Sequence, residues 1–227
     1  MKKAAIVFCG FARSYKKTYK HFYDRFINCN RDWEIDVYFN FQPFICGKNS
    51  TKKQELNLND LKSIYKNSSI NTYQIDENEI EKKYSEIKNA INLPSSHKNL
   101  LFIKGSILSQ YYGWAVSMAN INKDDYDLII KNRSDILPEK EIKLNSINPR
   151  FLTFFQRSDM PSFGIDDFIF CSSQPNMKQI MNIFTNFLFK ENLKDLPAAF
   201  PEFILSEYCK TLNINTVKGP QLTTIYR

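Results

Sequence analysis

Residues 4–9, AAIVFC, form an unbroken apolar run that Gly10 closes. A strand with one wet face alternates apolar and polar residues. A run with no polar interruption is buried on both faces, which marks an interior strand of a parallel sheet covered by helices on each side. The next segments keep to that plan. Residues 14–28, SYKKTYKHFYDRFIN, place Tyr15, Tyr19, Phe22, Tyr23 and Phe26 at helical spacing, with Ser14 available as a cap. Residues 35–41, IDVYFNF, are strand-like again, so the chain opens as a β-α-β unit with the short connection CGFARS after its first strand.

The remainder alternates in the same way. Polar residues 47–63 lead into a short helix over 59–66, and residues 70–75 suit a short strand. Residues 77–89 favour a charged helix. Over 99–121, Leu100, Ile103, Ile107, Tyr111, Trp114 and Met118 make the clearest amphipathic stripe in the chain, a helix that should pack on the sheet. Strands are expected at 127–133, 151–155 and 167–171, and a helix at 175–190. Pro201 suits the first turn of a further helix, and short strands at 214–217 and 222–226 finish the chain. The pattern predicts a Rossmann-like α/β/α sandwich with a mostly parallel central sheet, one domain over residues 1–227.

A 43% hydrophobic content with 15% aromatic residues supplies a sizeable core, and a net charge of +7 favours a polyanionic partner. Five cysteines, odd in number and without CxxC spacing, suit a reducing compartment. No apolar run reaches membrane-span length, so the expectation is a cytoplasmic protein, with peripheral contact at the inner membrane through the basic stretch 15–25 left open. Interleaved tyrosine and lysine in that stretch could face nucleic acid. A helix with an aromatic inner face and a lysine outer face gives the same pattern and is preferred, so no nucleic-acid partner is expected.

Open α/β sheets bind ligands beyond the carboxyl ends of their strands. That rule selects Gly10 and Arg13 after the first strand, Arg133 and Asp135 in the stretch IIKNRSDILP, and Asp166 and Asp167 before the 167–171 strand. Gly10 permits close approach of the backbone to a ligand, and Arg13 would add charge to an anion-binding helix start; a plain turn with a solvated arginine fits equally. Arg133 can grip phosphate through two parallel hydrogen bonds and Asp135 can ligate a hard cation, or the two can simply pair. One of Asp166 and Asp167 could meet a substrate hydroxyl, or the two could start the strand and cap a neighbour. Glu202 is favoured by the helix dipole and could also serve as a general base. Gln110 could edge a pocket, whereas Tyr111 and Trp114 suit the core.

The succession CGFARS, DVYFNF, SQYYGWAVSMAN, DLIIKNRSDI, FGIDDFIFCSSQPNM and FPEFIL resembles a group of bacterial glycosyltransferase-like proteins from capsule and lipopolysaccharide gene clusters, the WavE lipopolysaccharide-synthesis proteins among them. The resemblance runs in order over most of the chain and implies a GT-A-type fold, a nucleotide-sugar donor and a glycan or lipid-linked glycan acceptor. It implies a role near the donor nucleotide for Arg13, and Asp135 as the carboxylate that contacts Mn²⁺ or Mg²⁺ on the donor diphosphate. Arg133 stands where the first Asp of the DXD motif is found in such folds, and could neutralise the diphosphate itself. Asp166 or Asp167 would then be the acceptor-side base, with Glu202 competing. Two further readings stay open: a metal-dependent phosphodiesterase or nuclease, and a non-catalytic nucleotide-sugar-binding domain.

Overall fold

The computed structural model describes residues 1–12, 14–45, 54–66, 68–90, 107–121, 125–138, 140–155, 165, 167–186, 201–219 and 224–225. The elements are β1 (Lys2–Gly10), α1 (Tyr15–Phe22), β2 (Trp33–Phe41), β3 (Phe44–Ile45), β4 (Gln54–Glu55), α2 (Leu58–Ile64), β5 (Ser69–Thr72) and α3 (Glu77–Ala90). After them come α4 (Ser109–Ala119), β6 (Leu128–Asn132), β7 (Ile136–Leu137), β8 (Leu152–Phe155), β9 (Ile169–Ser172), α5 (Gln174–Met181), α6 (Ile183–Asn186), α7 (Pro201–Thr211), β10 (Thr216–Lys218) and β11 (Thr224–Ile225).

Seven strands make the central sheet in the order β10-β8-β9-β6-β1-β2-β5. β1 pairs in parallel with β2 on one side and β6 on the other, β2 with β5, and β8 with β10. Only β9 among these runs against its neighbours, antiparallel to both β6 and β8. The sheet is therefore mostly parallel, as the sequence predicts.

β1 owes its interior place to its residues one by one. Ala4, Ile6 and Phe8 enter one apolar layer with Tyr15 and Phe22 of α1, Phe26 just beyond it, and Leu61 of α2. Ala5, Val7 and Cys9 enter the other, with Ile80 of α3, Tyr111, Trp114 and Met118 of α4, Met177 of α5 and Leu205 of α7. Both faces of the strand are dry, which is what an apolar run without alternation requires.

α1 follows the aromatic stripe in part: Tyr15 and Phe22 are buried and Lys16, Lys17 and Lys20 exposed, but Tyr19 of the stripe is exposed too. The turn Tyr23–Ile27 continues it as a π-helical segment. Ser14 does not cap with its side chain. It adopts φ 52°, and its backbone carbonyl accepts from the amides of Lys17 and Thr18 at 2.8 and 3.1 Å. The expected helix at 175–190 breaks at Asn182, whose backbone leaves the helix, before α6 resumes. Leu100, Ile103 and Arg13 lie outside the described residues, as does Asp166.

One close approach fixes α4. A Cβ built on Gly113 would lie 2.1 Å from the Tyr73 hydroxyl oxygen and 3.0 Å from the ring carbon that bears it. Alanine is worth about 1 kcal/mol over glycine within a helix, yet overpacking costs about 1–3 kcal/mol. Gly113→Ala is expected to lower the urea midpoint, and adding Tyr73→Phe, which deletes the colliding oxygen, to recover part of the loss. A midpoint that rises in Gly113→Ala would show that Tyr73 yields freely.

Candidate functional site

The chain passes from β1 to β2 through α1, which packs on one face of the sheet, and enters β6 from α4, which packs on the other. The strand order thus reverses between β1 and β6, and a crevice opens beyond their carboxyl ends at such a point. Gly10 closes β1 there with φ 101°, a conformation that disfavours any side chain, and nothing stands within 4 Å of where its Cβ would be.

All five residues of β6 are buried. The segment that follows is stitched to the β1–α1 connection and to α1 itself: the Ser134 hydroxyl donates to the Phe11 carbonyl at 3.0 Å, and the Thr18 hydroxyl donates to the Ser134 carbonyl at 2.6 Å. Asn132 uses its side-chain oxygen to accept from the Arg133 amide at 2.8 Å. These bonds take the place of a glycine turn and hold the charged pair just beyond the end of β6.

Arg133 and Asp135 pair with each other. The Arg133 Nε donates to Asp135 Oδ1 at 2.9 Å and its Nη2 to Oδ2 at 2.7 Å, a two-pronged ion pair. The Asp135 side chain is 4% exposed and that of Arg133 22%, so the guanidinium is the member nearer to solvent. Its central carbon lies 3.9 Å from the centre of the Phe168 ring, a flat cation on an aromatic plate.

The segment before β9 supplies the second half of the cluster. β9 begins at Ile169, so Asp167 stands on its lead-in rather than in the strand, and the face alternation expected of a strand does not govern it. Asp167 is buried, and its carboxylate accepts from the Gln110 amide nitrogen. Lys131, in β6, donates from its ammonium to the carbonyls of Asp167 and Phe168. The hydroxyl of Tyr111 donates to the Pro201 carbonyl at 3.0 Å, and the Ile165 amide to the Glu202 carbonyl at 3.2 Å, so α7 is anchored at the same place. Burial pushes the Tyr111 hydroxyl well above its ordinary pKa, and the negative charges of Asp167 and Glu202 push it further. The Cys9 thiol, near the end of β1, is likewise raised by burial; Lys131, a Ser117 hydrogen bond and Arg133 oppose that rise, and Asp167 adds to it.

The structure therefore brings Arg133, Asp135, Asp167 and Gln110 into one cluster beyond β6, with Glu202 at its α7 border and Gly10 at the end of the adjoining strand. Sequence reading gave no place in the site to Lys131 or Phe168, and it assigned Tyr111 to the core, where it lies. Phe168 and Tyr111 look like plain core aromatics in sequence; only their partners reveal more. A groove lined by Ile142, Phe151, Phe155, Val217 and Lys218 lies at the β8–β10 edge and shares no residue with this cluster.

Asp135 is held by Arg133 and is not grouped with other metal-ligating side chains among the described residues. Both its oxygens are engaged by Arg133, and no group of three or more His, Cys, Asp or Glu residues placed to hold a metal ion occurs among the described residues. Such a pair satisfies each charge with the other, whereas Mg²⁺ or Mn²⁺ asks for several oxygen donors at once. The donor set described does not fit a divalent cation. No helix among the described residues is long and apolar enough to cross a membrane.

No protein-family model matches the sequence, and no curated protein matches it. Among solved structures, the fold is similar to that of a protein from Desulfovibrio desulfuricans G20, provisionally described as a nucleotide-diphospho-sugar transferase. The two share 11% identity with a TM-score of 0.49, over 100% of this chain and 83% of the other. A likeness at that level assigns no activity to this chain.

Proposed function

We propose that residues 1–227 are a single GT-A-like glycosyltransferase domain that binds a nucleotide-sugar in the crevice between the ends of β1 and β6 and passes the sugar to an acceptor hydroxyl. The observation that carries this reading is the Arg133–Asp135 pair, delivered by β6 to the point where the strand order reverses and seated on Phe168. A sugar leaves a nucleoside diphosphate only if the charge growing on the diphosphate is met, and a positioned guanidinium meets it. The glycan or lipid-linked glycan of a capsule or lipopolysaccharide precursor as acceptor rests on the sequence resemblance alone, as does a bacterial source; a cytoplasmic setting rests on the cysteine pattern and the lack of a membrane-length apolar run, and contact with the inner membrane on the basic stretch 15–25.

In this reading Gly10 lets the β1 backbone approach the donor, with Arg13 joining it from the connection. Arg133 binds the diphosphate, and Asp135 aims Arg133. The acceptor oxygen attacks the anomeric carbon, the bond from that carbon to the diphosphate oxygen breaks, and the diphosphate leaves with the bonding electrons. Asp167 takes the acceptor proton, and Gln110 orients its carboxylate. Asp166 and Glu202 are the alternative bases. No step is routed through a metal. A two-metal phosphodiesterase has no ligand group in its favour among the described residues.

Calorimetric titration with UDP, GDP and CMP, each with Mn²⁺ and with EDTA, tests the reading. One nucleotide is expected to bind in preference to the others, with affinities in the two conditions within about threefold. Binding that needs Mn²⁺ would return Asp135 to the metal, and no binding of any nucleotide would overturn the assignment of the crevice.

A further inference from the structure

Lys131 is 1% exposed, at the fourth position of a strand in which every residue is buried. Its register partners are Val7 on β1 and Phe170 on β9, both apolar. A charged ammonium is costly in such a layer unless its donors are satisfied. The carbonyls of Asp167 and Phe168 accept from it, the second at 3.4 Å. The faces of Trp114 and Phe170 stand 4.7 and 5.4 Å away. Those two carbonyls precede Phe155–Ile169, the first ladder pair of β9 with β8, so the lysine holds backbone that the sheet has not yet captured. The side chains of the same two residues are the parts of the cluster that face other groups: Asp167 receives Gln110, and the Phe168 ring lies against Arg133.

We propose that Lys131 is a positioning residue for the donor site. Gripping the Asp167–Phe168 backbone from inside the core, it sets where the Asp167 carboxylate stands and where the Phe168 ring holds Arg133. The inference rests on the reading that the donor diphosphate binds at Arg133. A lysine that served packing alone would be replaceable by an apolar side chain of similar length with no consequence for the crevice. A lysine that clamps this segment is not, because the carbonyls it leaves would turn elsewhere for donors and carry Phe168 with them.

The test uses whichever of UDP, GDP and CMP the wild-type chain binds. Its Kd is measured by calorimetry for the wild type, Lys131→Met, Phe168→Leu and the double variant, with thermal unfolding of each. Lys131→Met and Phe168→Leu are each expected to weaken binding at least about fivefold, and the double variant to be no worse than the weaker single, since residues acting through one contact are non-additive. Lys131→Met that unfolds earlier but binds with unchanged Kd would overturn the proposal, and so would losses that multiply in the double variant. Should Lys131→Met fail to fold, Lys131→Gln keeps one donor and is expected to bind with intermediate affinity; an unchanged Kd there overturns the proposal equally. If the wild type binds none of the three nucleotides, the donor site itself is wrong. If the wild type binds and the variants match it, only the role of Lys131 is.

Discussion

Arg133→Ala is expected to abolish nucleotide binding and to destabilise the protein by about 3–5 kcal/mol, the usual cost of stranding one member of a buried ion pair. Asp135 is 3% exposed and both of its oxygens receive donors from Arg133, so the substitution leaves a carboxylate with neither its partner nor ready access to water. For a domain of this size the loss corresponds to a fall in Tm of roughly 6–20 °C. Two further variants separate the two roles of the arginine. Asp135→Asn in the Arg133→Ala background removes the stranded charge and is expected to regain part of the stability without any binding. Asp135→Asn alone keeps the guanidinium but loosens its aim, so it should weaken binding and spare most of the stability. Arg133→Ala with a wild-type Tm would mean that water reaches Asp135 and that the pair is a surface contact.

Trp114→Ala is expected to cost as much or more, at the upper end of the about 3–5 kcal/mol seen when a buried aromatic is truncated. Trp114 is 1% exposed and packs its ring against Tyr111 and Phe170, with ring centres 4.9 and 5.2 Å apart. It also covers the Lys131 ammonium. Truncation opens a cavity and at the same moment takes an aromatic face from a buried cation, so the two penalties fall together. Urea unfolding checks this through the midpoint, and Trp114→Phe supplies the control, since it keeps an aromatic face and most of the volume. A phenylalanine no better than alanine would show that the ring face contributes nothing beyond shape.

The fold could be read largely from apolar spacing. AAIVFC names the central strand because no other element tolerates six consecutive apolar residues ended by glycine so well, and Ile107, Tyr111, Trp114 and Met118 fall in one buried layer as their spacing predicts. Strand direction is another matter. DFIFC reads the same whether its strand runs with or against its neighbours, so nothing local marks β9 as the reversed strand. Ser14 suited a side-chain cap by type, yet its backbone lies in the left-handed region and its side chain makes no cap bond.

The site was legible as charge at a strand end and illegible as a set of partners. NRSD stood out because cations and a carboxylate follow two isoleucines, and their mutual pairing was one of the two alternatives that spacing allowed. Lys131 is one of those cations, but nothing marked it as buried: a lysine at the end of an apolar run normally marks the chain reaching water. Its burial depends on carbonyls 36 and 37 positions away in the chain. Gln110 was selected only as a pocket edge, and its bond to Asp167 spans 57 positions. Spacing reports neighbours along a helix or strand, and the contacts that organise this cluster are not of that kind.

The interior position of β1 also sets a timetable for the growing chain. Its β2 neighbour follows within a few dozen residues, but its other edge waits for β6, about 124 residues later by the pairing of Ala4 with Leu128. At the common synthesis rates of about 5–20 residues per second, that is roughly 6–25 s during which a strand buried on both faces in the finished protein presents an open hydrogen-bonding edge. A nascent chain of this design needs that edge shielded on the ribosome, and stalling between β2 and β6 is the moment at which it is most exposed to aggregation.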